Sequence, residues 1–550
     1  MNRGVAGRIS RGVANVLSPR KLIRLPSPMS KPGKSGLTIA IEGCCHGELD
    51  KIYDTLQHLE RVEGRKVDLL ISCGDFQAVR NMDDLETMAC PPKYRDMQTF
   101  YKYFSGEKRA PVPTLFIGGN HEAANHLWEL YYGGWAAPNI FFLGFTGVVR
   151  FGGVRIAGLS GIYAKGDYMK GHHERLPYDS STMRSMYHVR DFEAYRLMQI
   201  QQPLDIFLSH DWPRNIVHHG DKEALLRRKT FLRSEIESSE LGSPASEQLL
   251  KALQPSYWFS AHMHTKFPAV VEHAGGKATR FLALDKCLPG RDFLQVLELE
   301  AEGPKVFEYD PEWLAILRST HSQMNLSRQH RPLPYMGTRR MGPSHADMEF
   351  VEQALAARGN ANVPLNFQPT APAFNPQLGT RQQGRMPARH VRNPQTEALL
   401  QLLQLPYSLD HANPPKPTAS SQGPIPAQNP SQAAQDGRGG NLATPPPPPI
   451  MLANPEEIEL GDFDDADSGL TTQPTEGGGA ASSAGRGVEK MMAANPEEID
   501  LEDDAEGSQG GDEPAALVKG QGVPVGQGAR DHTDVAMHAE DPMFQPMRFK

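Results

Sequence analysis

Thr114-Leu115-Phe116-Ile117-Gly118-Gly119-Asn120-His121-Glu122 sets a short apolar run against a cluster of polar, ligand-capable side chains. The first four residues read as a buried strand, and the glycine pair as a turn with room for a close backbone approach. Strand ends are where open α/β sheets place their chemistry. Working outward, the same arrangement recurs. Residues 37–41 run into Gly43-Cys44-Cys45-His46, and residues 67–71 into Gly74-Asp75. Residues 206–208 precede Ser209-His210-Asp211, and residues 257–259 precede Ala261-His262-Met263-His264. Cys, His, Asp and Asn all ligate transition metals.

Each motif alone has an ordinary reading. Cys44 fits a small buried hydrophobe, Asp75 a helix cap, Asn120-His121 a turn, and His210 a satisfied core histidine. His262-x-His264 is the strongest single piece, because alternate residues of an extended segment can converge on one ion. The segments between the motifs complete an alternation. Ile52, Leu56 and Leu59 have helical spacing, as does a polar and aromatic stretch over residues 94–104. Residues 140–145 and 154–159 read as strands joined by a glycine-containing hairpin, and 281–284 and 293–299 as closing strands. Strands alternating with helices predict a layered α/β domain over residues 37–300. A small appendage is expected over 301–358, with Trp313, Leu314 and Leu317 at helical spacing.

The 550-residue chain carries a formal net charge of −8, with 51 Gly throughout and 46 Pro that lie mostly in its second half. Residues 359–550 read as a disordered, Pro/Gly-rich acidic tail that buries too little apolar surface to offset backbone ordering. A Leu-rich island at 396–405 has the makings of a short helix. Asn454-Pro455-Glu456-Glu457-Ile458 recurs as Asn495-Pro496-Glu497-Glu498-Ile499. The pair reads either as duplicated docking motifs or as drift in low-complexity sequence. Residues 1–36 hold Arg and Lys but no Asp or Glu, which fits a disordered basic extension, a transit peptide or an import signal. Five cysteines in so long a chain fit a reducing compartment better than a disulfide scaffold. No apolar run approaches the ~18 residues a membrane helix needs, so no membrane partner is expected.

Taken together and in order, the five motifs resemble the calcineurin-like metallophosphoesterases, whose pattern is D-x-H, G-D-x, G-N-H-[DE], a lone His, then G-H-x-H. This chain departs twice, with Cys44 at the first Asp and Ala261 at the last Gly. The Cys departure narrows the resemblance to the RNA lariat debranching branch. So do Cys73-Gly74-Asp75-Phe76-Gln77, Pro91-Pro92-Lys93-Tyr94-Arg95, Tyr131-Tyr132-Gly133-Gly134-Trp135 and Ser209-His210-Asp211-Trp212-Pro213. The resemblance implies a four-layer α/β/β/α metallophosphoesterase sandwich. It also implies two ions about 3.5–4 Å apart. Asp75 would bridge them, Cys44, His46 and His264 would complete one site, and Asn120, His210 and His262 the other. A thiolate is soft, so the first site should prefer Fe²⁺ or Zn²⁺ to Mg²⁺, with Mn²⁺ serving in vitro. Cys44 could instead empty its own site and leave a single-metal enzyme. His121 is implied as the general acid for the leaving oxygen, a task that suits an imidazole.

Residues 160–190 form a long polar insertion carrying Tyr163, Lys165, Tyr168, Lys170, His172, Arg175, Arg184, Tyr187, His188 and Arg190. Basic groups can neutralise phosphates and rings can stack on unpaired bases, so these ten are candidate substrate contacts. The resemblance places a lariat-recognition loop here. The implied reaction is hydrolysis of the 2′-5′ phosphodiester at the branch of excised intron RNA, as a monomer in the nucleus. Splicing or RNA-decay proteins are expected partners of the tail. The competing readings are a phosphomonoesterase or general nuclease on the same fold, and a binding module that has lost its metals, like a retromer subunit of that fold.

Overall fold

A computed structural model describes residues 36–334, 341–379, 382–384 and 389–412. The basic extension before residue 36 and the tail after 412, with its duplicated motif, lie outside the described residues.

Two sheets form the centre. The first has strand order β12-β1-β2-β3-β5-β4. Its members are β1 (Gly36–Glu42), β2 (Leu69–Ser72), β3 (Thr114–Phe116), β4 (Gly134–Ala137), β5 (Ile140–Phe142) and β12 (Leu294–Glu300). The second has order β10-β11-β9-β8-β7-β6-β13. Its members are β6 (Thr146–Phe151), β7 (Val154–Leu159), β8 (Ile206–Ser209), β9 (Tyr257–Ser260), β10 (Phe267–Glu272), β11 (Ala278–Ala283) and β13 (Phe307–Tyr309). In the first sheet β1, β2, β3 and β5 run parallel, and in the second β7, β8, β9 and β11 do. Parallel strands need crossovers, and crossovers put helices over the outer faces.

Side-chain alternation explains the layering. Ile39, Ile71, Leu115, Leu208 and Phe259 share one core between the sheets. Their neighbours Ala40, Leu70 and Phe116 face an outer core under helix Leu49–Glu63. Phe207 and Trp258 face the other outer core, under helices Asp191–Met198, Pro244–Leu253 and Pro311–Thr320. Strands buried on both faces are why these runs are continuously apolar. The result is the expected α/β/β/α sandwich. The helix expected over 94–104 shrinks to Phe100–Phe104, preceded by a 3-10 turn at Pro92–Tyr94.

The boundaries beyond residue 300 differ from expectation. The appendage over 301–358 is built into the domain, because β13 extends the second sheet by pairing with β6. The disorder expected from 359 is corrected over the described part of 359–412, which packs on the first sheet and carries helix Pro394–Leu402. Its ordering comes from polar side chains meeting buried groups far away in sequence. Arg80 donates to Thr370 at 2.8 Å, and Asn81 to the Pro372 carbonyl at 2.8 Å. Gln395 bridges the backbone of Trp135, accepting from its N–H at 2.7 Å and donating to its carbonyl at 2.9 Å.

Candidate active site

The loops after β1, β2, β3, β8 and β9 meet at one edge of the sandwich, and tight backbone contacts set their approach. A Cβ on Gly74 would lie 2.3 Å from the His210 ring, and one on Gly119 would lie 2.2 Å from Asp75 Oδ1. Glycine is therefore required at both points. His46, Asp75, His262 and His264 all take positive φ, at 46°, 44°, 65° and 44°. Non-glycine residues rarely adopt that region, and clustered strain of this kind is typical of functional sites.

The donor atoms of Cys44, His46, Asp75 and His264 all lie within 4.8 Å of one another. The Nε2 atoms of His46 and His264 are 3.4 Å apart, and His46 Nε2 is 3.8 Å from Asp75 Oδ2. The other carboxylate oxygen faces a second group. Asp75 Oδ1 lies 3.2 Å from His210 Nε2, which is also 3.2 Å from Asn120 Oδ1. The rings of His210 and His262 have centroids 4.9 Å apart. His210 Nδ1 sits 2.9 Å from the Cys73 carbonyl, which fixes the ring with Nε2 toward the cluster. All seven residues expected as ligands are thus brought together, with the two Asp75 oxygens turned to different groups.

Electrostatics suit a cation. Burial pushes His46 down to about 4 and His262 to about 3, and it takes His264 well below its ordinary value. Their lone pairs are then available near neutral pH. Burial works to raise Asp75, but His210, His121 and His46 outweigh it and hold the carboxyl well below the usual range. Burial pushes the Cys44 thiol up, with Asp75 adding to the effect, while the His262 N–H donates to its sulfur at 3.2 Å. One thiol, imidazoles and carboxylate oxygens are a donor set that fits Fe²⁺ or Zn²⁺. His121 sits half-buried at the rim. Its backbone N–H donates to Asp75 Oδ1 at 2.8 Å, and its ring is 5.5 Å from that of His46.

One supporting residue had no role in the sequence reading. Glu122 is buried, and burial pushes its carboxyl up to about 8. It accepts from the N–H groups of Phe76 at 2.7 Å, Gln77 at 2.9 Å and Gly119 at 3.0 Å. This locks the Asp75 loop to the Asn120 loop. The available signal was an acid directly after Asn120-His121.

The insertion at 160–190 is anchored beside the second group. The Gly161 N–H donates to the Gly118 carbonyl at 2.8 Å, and the Tyr163 N–H to Asp211 Oδ2 at 3.2 Å. It holds two short helices, Lys165–Tyr168 and Ser180–Ser185. Its polar side chains divide into two sets. Tyr163, Lys165, Tyr168, Lys170, Arg175, Arg184 and Tyr187 retain exposure. His172, His188 and Arg190 do not, and their reading as substrate contacts is corrected. His172 Nε2 lies 3.2 Å from Glu193, and His188 Nδ1 lies 2.7 Å from Asp167. Arg190 donates at 2.7 Å to Glu174, which also accepts from Ser185. These partners, Glu193 from the following helix among them, hold the three side chains away from solvent.

Comparison with known proteins fits this geometry. Residues 37–266 match the calcineurin-like phosphoesterase family, and residues 276–408 match the C-terminal domain of lariat debranching enzymes. The second match spans the packed segment beyond 359. A lariat debranching enzyme of Arabidopsis thaliana is 50% identical over 431 residues, covering 78% of this chain and 96% of that protein. The Homo sapiens lariat debranching enzyme is 48% identical over 445 residues, covering 78% of this chain and 81% of its own. Lariat debranching enzyme A of Xenopus laevis is 53% identical over 369 residues, covering 66% and 68%.

Proposed function

The chain belongs to the lariat debranching enzyme family, and we propose how its residues divide the work of debranching. The reaction is hydrolysis of the 2′-5′ phosphodiester at the branch nucleotide of excised intron RNA, giving a linear product. The phosphoesterase family implies divalent metal ions, which supply Lewis-acid polarisation of the phosphate and a more acidic water. Asp75 would serve both sites, with Cys44, His46 and His264 holding one ion and Asn120, His210 and His262 the other. Cys44 inclines the first site to Fe²⁺ or Zn²⁺, and Mn²⁺ would substitute in vitro. Cys44 would hold an ion there as the thiolate, the form in which a cysteine ligates metal.

His121 donates the proton that the leaving branch 2′-oxygen takes up. Its position at the rim, tethered to Asp75 through the backbone, lets the ring reach an oxygen outside the donor cluster while remaining beside it. Tyr163, Tyr168 and Tyr187 offer faces to unpaired bases, and Lys165, Lys170, Arg175 and Arg184 offer charge to phosphates. The enzyme acts as a nuclear monomer, and its acidic tail recruits splicing or RNA-decay proteins.

The observation that carries this reading is the Asp75 carboxylate, with Oδ1 turned to His210 and Oδ2 to His46. The test is purified protein supplied with Fe²⁺, Zn²⁺ or Mn²⁺ and given branched RNA. Linearisation is expected, with 3′-5′ RNA spared and metal analysis reporting bound divalent ion. Equal cleavage of linear RNA or of para-nitrophenyl phosphate would replace debranching with a general phosphoesterase reading.

A further inference from the structure

The recognition segment approaches the centre from the side of Asn120 and His210, through its contacts with Gly118 and Asp211. The flank formed by Cys44, His46 and His264 is lined differently. The backbone of Lys286 pairs with that of Cys44 in a parallel β-bridge, and the next N–H, of Cys287, donates to the Cys44 carbonyl at 3.1 Å. This pairing sets Lys286 on the Cys44 flank of the centre. Among the described residues no carboxylate lies within 4.0 Å of the Lys286 ammonium. Arg291 lies 3.7 Å from Asp285, whose carboxyl also feels Lys229 and Lys286. Lys266 follows His264 by two residues and donates to Gln295 at 3.5 Å. Arg228 donates to the Lys266 carbonyl at 3.0 Å, which ties the end of helix Lys222–Arg228 to this loop. The next turn presents Phe231, 40% exposed, with the Lys229 ammonium 5.8 Å from its ring.

We propose that Lys229, Phe231, Lys266, Lys286 and Arg291 form a second RNA-binding surface that takes one single-stranded arm of the branched substrate. The inference rests on the debranching reading above. A branch nucleotide joins three strands, and one recognition segment on one side of the centre leaves the others to be held elsewhere. Positive side chains along a path with an exposed aromatic ring are what grips single strands without regard to sequence. Asp285 is buried beside this path, 3.7 Å from Arg291. Continuity with the centre through Lys286 and Cys44 favours a strand leaving the scissile phosphate over a separate partner protein.

The test uses the full chain as the triple variant Lys229→Gln, Phe231→Ala, Lys266→Gln, leaving Lys286 beside the centre. Metal content and Tm are measured first, and both should match wild type. Branched RNAs with all arms long, and with each arm trimmed in turn, are then compared. The KM for the fully armed substrate should rise about tenfold, and its salt dependence should flatten by roughly 0.7 for each phosphate no longer neutralised. For one trimmed substrate the difference between variant and wild type should vanish. Equal KM values on fully armed RNA overturn the proposal, as does an equal rise on every substrate. Wild type that fails to linearise branched RNA sinks the debranching reading instead. Anisotropy with a labelled single strand then decides the surface alone, and equal affinities of the two proteins overturn it.

Discussion

The loops of the centre and the insertion at 160–190 both draw on histidine and acidic side chains, and they use them in opposite ways. In the loops, polar atoms from five separate strand ends are aimed at common points, and the backbone is held in strained left-handed conformations to do it. In the insertion, polar atoms are spent on each other. Glu174 gathers Arg190, Ser185 and both His172 and His173, while Asp167 takes His188 and Lys170. A centre that must accept a cation leaves donors converging on a point. A segment that must hold a shape on a surface closes its donors into pairs. Richness in His and Arg therefore does not by itself mark substrate contact; the direction of the side chains does.

Variants of the loops should produce the largest losses. Asp75→Ala removes the residue shared by both donor groups, and debranching should fall below about 10⁻³ of wild type. Metal analysis should show both sites weakened, and a variant that keeps two equivalents of metal would break the shared-ligand assignment. His121→Ala should lower kcat by roughly 10²–10⁴-fold with metal content unchanged. Loss of metal in that variant would move His121 into the ligand set. Glu122→Ala leaves every ligand in place but unties the Asp75 loop from the Asn120 loop. A fall of about 10–100-fold in metal affinity or activity is expected, and an unaltered enzyme would show that the strained loops hold themselves.

How far the sequence could be read follows the same division. The five motifs were legible because most follow an apolar run, and the seven ligands because the motifs' order resembles the calcineurin-like pattern. The sandwich was legible because its strands are buried on both faces. Left-handed backbone at His46 or His264 leaves no trace in residue type. The packing of the described part of 359–412 was missed because Thr370, Gln395 and their partners are ordinary polar residues. Their pairing with Arg80 and Trp135 spans some hundreds of residues and carries no periodicity. The insertion was misread in part because composition gives polarity and not direction. Arg190 and Arg175 look alike in the sequence, yet one is 1% exposed and the other faces solvent.

That pair sharpens the contrast at smaller magnitude. Arg190→Ala strands Glu174 without its main partner, and breaking a buried pair costs about 3–5 kcal/mol. Arg175→Ala should leave stability within about 0.5 kcal/mol. It should weaken RNA binding modestly and reduce the salt slope by about 1. Denaturant melts and salt titrations of the two variants check both halves, and a destabilised Arg175 variant would undo the division into inward and outward sets.

An effect smaller than the loss of Arg190 depends on pH and tests the inward set directly. Burial works to raise Glu174, but Arg190, His172 and His173 prevail and hold its carboxyl below the ordinary value. Asp167 is likewise held low against burial, by His188, Lys170 and Arg190. A carboxylate with a depressed folded-state pKa adds stability that is present above its unfolded value, near 4.3 for Glu. That stability is lost as pH falls through the folded value. Glu174→Gln keeps the shape and removes the charge, so it should cost about 1–3 kcal/mol at pH 7. The gap in Tm between variant and wild type should stay constant down to about pH 5 and close progressively below about pH 4. A gap that persists unchanged at pH 3 would mean that Glu174 acts through packing and hydrogen-bond geometry rather than charge. The insertion would then be held by shape alone, and its difference from the charged centre would be wider than the ion pairs suggest.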